Sequence, residues 1–288
     1  MNKHATPRGM YLRHFGLRTA PFGITPDPLF FYPGNTRGEL LAALLYAVLQ
    51  GEGIIKLSGE VGSGKTMLCR MLAERLPPQV DVLYLLNPRL EPDDVLRALH
   101  GELIARHAAG RSVVLLVEEA QGMPVDTLEA VRLLTNLETA SHKLLQIVLF
   151  GQPELDRTLD LPQLRQLKER ITHSFAMPRL PLALLPDYLA CRLAAAGCAT
   201  PLRFEPGALR LLARASHGTV RRVNILADKA LLAAYADDAQ HIATRHLRLA
   251  LADAPFHNGK RWYQGRVLAA ALLMVMLALA VALLWQSA

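Results

Sequence analysis

Short, nearly unbroken runs of Val, Leu and Ile alternate along this chain with longer stretches whose apolar residues recur every three or four positions. The runs at 53–58, 80–86, 112–117, 144–150 and 171–176 predict strands. Most of them are continuous rather than alternating and so predict burial on both faces, as in a parallel sheet covered by helices. Helical spacing fills the gaps between them. It covers 36–50, with Leu40, Leu41, Leu44, Leu45 and Val48 on one face, and the stretch holding Met67, Leu68, Met71 and Leu72. It also covers 93–107, with Asp93 near the N-cap after Pro92, then 124–136 and shorter pieces over 154–169. Past Pro178 only the helical rhythm remains, at 182–195, 206–215, 220–236 and 244–251. The pattern predicts an α/β domain over 36–177 followed by a small all-helical domain over 178–253. Residues 1–35, rich in proline, glycine and aromatics, show no period and are expected to lie over the next domain as an ordered arm.

A last apolar stretch has a different character. Residues 267–285 (VLAAALLMVMLALAVALLW) carry no charge over nineteen positions. As a helix they would span about 28 Å, close to a bilayer's hydrocarbon thickness. Lys260, Arg261 and Arg266 precede the run, Trp262 and Tyr263 lie among them, and Trp285 closes it. Such flanks predict a single transmembrane helix with everything before it on the cytoplasmic side. Residues 254–266 then form a basic linker to that anchor.

The first strand feeds Gly59-Glu60-Val61-Gly62-Ser63-Gly64-Lys65-Thr66, which matches G-x-x-x-x-G-K-[ST] at every specified position. The glycines let the backbone curl so that successive N–H groups converge on one anion, and the following helix adds its positive end. Lys65 is then placed for the β- and γ-phosphates and the Thr66 hydroxyl for a magnesium ion. This element predicts binding of a nucleoside triphosphate with Mg2+.

Four further positions extend that chemistry. The third strand ends in Glu118-Glu119, an apolar run closed by an acidic pair. The first carboxylate would support the metal and the second would polarise the attacking water. Glu118 stands where aspartate is usual, which adds about one methylene, roughly 1.5 Å, of reach and bears on turnover. Gln152 follows the fourth strand, where a polar side chain can reach the γ-phosphate or the water; a turn-forming Gly-Gln-Pro is the alternative. Arg170, with Arg165 as second choice, precedes the last strand, the place from which an arginine can enter a neighbouring subunit's site. A solvated basic helix face is the other reading of both. Arg221 opens a helix in the C-terminal domain, where the positive helix end disfavours it unless an anion is near; it is preferred there to Arg222.

Composition adds limits. Of 288 residues 51% are hydrophobic and 20% charged, so the bulk is globular. Cys69, Cys191 and Cys198 are odd in number and scattered, which predicts a reducing compartment and no disulfide framework. The formal charge of +7 suits nucleic acid or an anionic membrane surface, and the apolar tail favours the membrane. The histidines show no metal-ligand spacing.

Taken with these motifs, several other segments carry a resemblance. They are Tyr11-Leu-Arg-His-Phe15, Thr25-Pro-Asp-Pro28, Glu119-Ala-Gln121, Gln152-Pro-Glu-Leu155 and Arg221-Arg-Val-Asn-Ile-Leu-Ala-Asp-Lys229. Over roughly residues 10–253 the chain resembles the AAA+ ATPases of the general secretion pathway protein A family, which includes the ATPase of MSHA pilus biogenesis. The resemblance implies a P-loop AAA+ core with a helical lid, ATP as nucleotide, oligomerisation, and a post at the bacterial inner membrane. It implies Gln152 as first sensor, Arg170 as the trans-acting finger and Arg221 as second sensor. The expected function is ATP-driven assembly of a type IV pilus or a type II secretion-like machine, with pilus or secretion proteins as partners. A DNA-dependent AAA+ ATPase of transposition or initiator type, and a nucleotide-gated scaffold with little turnover, are the alternatives. The interval between the second strand and the acidic pair is shorter than the family's pattern, with one helix in place of two. Secretion-type members continue past their membrane helix into a peptidoglycan-binding domain, and over the residues up to Ala288 wall binding is not expected to carry over.

Overall fold

The computed structural model of the chain describes residues 7–51, 53–85, 92–93, 103, 106, 111–134, 145–198 and 202–256. Five strands, β1 (Ile54–Ser58), β2 (Val80–Leu85), β3 (Ser112–Val117), β4 (Leu145–Gly151) and β5 (Ile171–Ala176), form one sheet in the order β2-β3-β4-β1-β5. Every pairing in it is parallel. The helices are α1 (Pro7–His14), α2 (Arg37–Gln50), α3 (Lys65–Arg75), α4 (Val125–Leu134), α5 (Glu154–Leu159) and α6 (Arg165–Glu169). They continue with α7 (Leu185–Ala195), α8 (Pro206–Ser216), α9 (Val220–Ala236) and α10 (Thr244–Ala252).

Successive side chains of a strand point to opposite faces, so the unbroken apolar runs split into two cores. Val113, Leu115 and Val117 of β3, with Leu145, Ile147 and Leu149 of β4, pack against Leu128 and Val131 of α4 and Leu155 of α5. Their neighbours Val114, Leu116, Val148 and Phe150 face the other way, onto Leu41 and Leu44 of α2 and Leu68 and Leu72 of α3. The sheet is thereby fixed between two helical layers, and the carboxyl ends of β1, β3 and β4 come to one edge. In open parallel sheets that edge is where ligands sit.

Two expectations need correction. The C-terminal domain is not wholly helical: β6 (Arg203–Phe204) pairs in parallel with β7 (His241–Ile242). Strands of two residues are too short to leave a period in the sequence. The N-terminal arm contains α1, and although it touches the nucleotide-binding domain, where Arg70 donates to the Pro26 carbonyl at 2.6 Å, most of its apolar side chains are buried on the C-terminal domain. Its Tyr11, Phe15, Leu17, Phe22 and Phe30 are buried in one cluster with Leu185, Tyr188 and Leu189 of α7 and Val223 and Leu226 of α9. Polar contacts enforce that choice. The Tyr11 hydroxyl donates to Asp228 at 2.8 Å, and the Asn224 amide donates to the Gly23 carbonyl at 3.3 Å. The Arg192 guanidinium donates to the carbonyls of Pro21 at 2.6 Å and Gly23 at 3.2 Å.

The transmembrane run at 267–285 and, beyond Phe256, the linker at 254–266 lie outside the described residues, as does most of the helix expected at 93–107. Among the described residues no helix is long and apolar enough to cross a membrane. The three cysteines are free, and Cys69 is buried.

Candidate functional site

The loop between β1 and α3 is built for close approach. Gly62 and Gly64 take left-handed φ of 73° and 107°, which a side chain would strain. A Cβ on Gly59 would meet Ser63 Oγ at 2.9 Å, and one on Gly62 would meet Arg221 Cβ at 2.6 Å. Lys65 is buried at the start of α3, and its ammonium donates to the carbonyls of Gly59 at 2.7 Å and Glu60 at 3.1 Å. Burial pulls the Lys65 pKa down, while Glu119, Glu60, Glu118 and Glu154 hold it up. The buried Ser63 hydroxyl has no partner. Glycines that admit no Cβ, a buried cation and an orphaned hydroxyl fit a triphosphate.

Opposite the loop, the tips of β3 and β4 meet. Val117 pairs with Leu149, so the residues just beyond them, Glu119 and Gln152, become neighbours. The Gln152 side-chain amide donates to Glu119 Oε2 at 3.0 Å, and that of Gln121 to the same oxygen at 2.6 Å. Gln121 in turn accepts the Gln152 backbone N–H at 2.9 Å. Burial works to raise the Glu119 carboxyl, but the two amides and the Lys65 charge hold it below its usual value. Glu119 also sits at a φ of 53°, unusual for a side-chain-bearing residue and a form of strain that collects at functional sites. Glu118, beside it in the chain, also acts on Lys65 through its charge. Burial, and then the Glu118 carboxylate, push the thiol of buried Cys69 upward, and Cys69 lies on α3, the helix that Lys65 and Thr66 begin.

A cavity of about 410 Å3 joins these parts. Its floor is the loop from Val61 to Thr66, its walls include Glu119 and Met177, and its roof comes from the arm (Gly23 to Pro26) and from Tyr188, Arg221 and Asn224 of the lid. Arg221 is tied to the loop directly, its backbone N–H donating to the Gly62 carbonyl at 3.0 Å. Lys65, Glu119, Gln152 and Arg221 are thus brought to one site. Arg170 is not. Its carbonyl accepts the Ile54 N–H at the far end of β1, about 13 Å of strand away from Ser58. Arg165 is exposed and donates to Glu169 at 3.1 Å.

Sequence reading missed two residues here. Gln121, passed over as part of a motif, orients both Glu119 and Gln152. Arg37 begins α2 buried in the cavity wall, with Nη2 donating to the Pro178 carbonyl at 3.1 Å and Nη1 buried without a partner. Two consecutive left-handed residues, Asn35 at a φ of 55° and Thr36 at 61°, turn the chain to put it there. Burial pulls its pKa down, opposed by Tyr188 and Tyr32. The argument that singled out Arg221, an arginine in a helix's first turn, applied equally to Arg37.

Comparison with known proteins agrees with this geometry. The family model described as "AAA domain" matches residues 48–112 and 89–159. General secretion pathway protein A of Aeromonas hydrophila is 39% identical over 284 residues, covering 91% of this chain and 52% of that protein. The chain therefore spans about half the length of that curated relative. Among solved structures, the Aeropyrum pernix ORC1 protein in complex with DNA aligns with a TM-score of 0.61 at 19% identity, covering 81% of this chain and 69% of that one. The Thermotoga maritima RuvB Holliday junction branch migration motor gives 0.54 at 19%, covering 77% and 69%. At that identity both are likenesses of fold.

Proposed function

Because the chain belongs to the AAA+ ATPases related to general secretion pathway protein A, we propose that it hydrolyses ATP slowly to drive assembly of a type IV pilus or type II secretion-like machine at the bacterial inner membrane. The observation that carries the catalytic part is the Glu119 carboxylate held by two amides across one cavity from Lys65. In this reading Gly59 to Thr66 bind the phosphates and Glu119 accepts the proton of the attacking water, oriented by Gln152 and Gln121. Thr66 and Glu118 would hold Mg2+, which would offset charge on the phosphate oxygens. Arg221 links the γ-phosphate to the lid. Arg170, remote from its own subunit's loop, serves a neighbour's site in a homo-oligomer. The arm at 1–35, the core at 36–177, the lid at 178–253, the linker at 254–266 and the anchor at 267–285 divide the work.

The test is phosphate release by the full chain, reconstituted in bilayers, against Lys65→Ala. Removing the buried ammonium is expected to weaken ATP binding about a hundredfold or more, since a charged hydrogen-bond partner is lost in a desolvated site. Equal ATP affinity in the variant would remove the loop from the mechanism. The second measurement is on Arg37. Arg37→Met is expected to weaken ATP binding about tenfold in calorimetry, because the free Nη1 donor is its contact with the nucleotide. Unchanged affinity would make Arg37 a strut between α2 and Pro178 only. Membrane fractionation checks the anchor: the full chain should stay with the bilayer after a high-salt wash, and residues 1–256 should not.

A further inference from the structure

A second cavity, of about 530 Å3, shares Val61 and Arg221 with the nucleotide site and is lined by Glu60, Arg179, His217, Arg222 and Phe256 as well. Three arginines from separate positions face it against one carboxylate. Arg179 takes that carboxylate, donating to Glu60 at 3.2 Å. Among the described residues neither Arg221 nor Arg222 has a carboxylate within ion-pair distance. Arg222 instead lies 5.3 Å from the ring centroid of Phe256. Phe256 is the last described residue, and the sequence beyond it carries Lys260, Arg261 and Arg266 before the uncharged run opens at Val267. Eleven residues reach at most about 40 Å, so the groove lies within that distance of wherever Val267 sits.

We propose that this groove binds a phosphate-bearing anion, and that the headgroups of anionic lipids supply it. Arginines left without a carboxylate in a concave site favour phosphate oxygens, which their planar fork matches, and here Arg221 is exposed and Arg222 half-buried, so both are open to an incoming headgroup. The lipid source rests on the membrane-anchored reading; the anion site does not. The groove also has a lever on the nucleotide. Arg221 lines both cavities, and Glu60 is a loop residue whose carbonyl holds Lys65. An anion that draws Arg221 outward takes it from the γ-phosphate. Lipid and ATP binding are therefore antagonistic, and by linkage the antagonism is mutual.

The experiment uses the full chain in nanodiscs of phosphatidylcholine alone or mixed with phosphatidylglycerol, with a fluorescent ATP analogue as probe. Phosphatidylglycerol is expected to weaken ATP binding about fivefold. In the double variant Arg222→Gln, His217→Gln the affinity in phosphatidylcholine should be unchanged and the response to phosphatidylglycerol lost. Equal affinity in both lipids, or a response that survives the double variant, overturns the proposal. Inorganic phosphate or duplex DNA producing the shift where phosphatidylglycerol does not would also overturn it, naming a free anion or nucleic acid as the occupant. If the chain fails to enter nanodiscs, the anchor is what has failed. The groove is then judged with glycerol phosphate in solution, where a shift abolished by the double variant supports the anion site and its absence removes it.

Discussion

Glu119→Gln is expected to lower steady-state phosphate release by about 10²–10⁴-fold, the usual contribution of a positioned general base, while leaving ATP affinity within about threefold. The prediction follows from where the carboxylate stands. It touches the Gln121 and Gln152 amides rather than the loop, so its loss removes the proton acceptor without removing a phosphate contact. The substitution is also close in volume, which keeps the hydrogen-bonded tip of β3 packed. Gln152→Ala and Gln121→Ala should each cost less than Glu119→Gln, and the double amide variant should be far from additive, since the two orient one oxygen. Phosphate release in Glu119→Gln equal to that of the unaltered chain would leave the scaffold reading standing.

The same amides set the pH behaviour. A carboxyl held below its usual value is charged above that depressed pKa and loses activity only as pH falls through it. The acid limb of the turnover profile should therefore lie below the ordinary glutamate value of about 4.3. Gln152→Ala removes one stabilising donor and should move the limb upward. An acid limb near neutrality, unmoved by Gln152→Ala, would assign the base to another group.

What could be read from the sequence and what could not divide along physical lines. The central strands were legible because burial on both faces leaves continuous apolar runs, as at Val113 to Val117. The loop was legible because its backbone path restricts residue type at Gly62 and Gly64. Contacts set by tertiary placement left weaker marks. The carboxylate-to-amide contact needs the β3–β4 register, which brings Glu119 beside Gln152. The two-residue β6 and β7 leave no period at all. The arm was legible only in part for a related reason: its aromatics advertise burial but not the surface that receives most of them. That surface is chosen by Arg192 and Asn224, some 170–200 residues downstream.

Arg192→Met tests that choice and has a large expected effect. The guanidinium is buried against the Phe30 ring, 4.6 Å from its centroid, and satisfies the carbonyls of Pro21 and Gly23. A methionine fills much of the volume but donates nothing, so the carbonyls of Pro21 and Phe30 lose their partner while that of Gly23 keeps only the Asn224 amide. Each such orphan costs about 1–3 kcal/mol, and relief of the desolvated guanidinium returns part of the sum. A net loss of about 2–4 kcal/mol is expected, which hydrogen exchange would read as roughly 30- to 1,000-fold faster exchange of arm amides over residues 11–32. The sheet should keep its protection, because the arm's buried apolar residues belong to the lid cluster and only the half-buried Phe31 packs against a face of the sheet core. Since Gly23 to Pro26 roof the nucleotide cavity, ATP affinity should fall with arm protection. Arm amides that keep their protection in Arg192→Met would mean that Tyr11, Phe15 and Phe22 hold the arm by apolar burial alone. Phe22→Ala would then become the more damaging change, at about 3–5 kcal/mol.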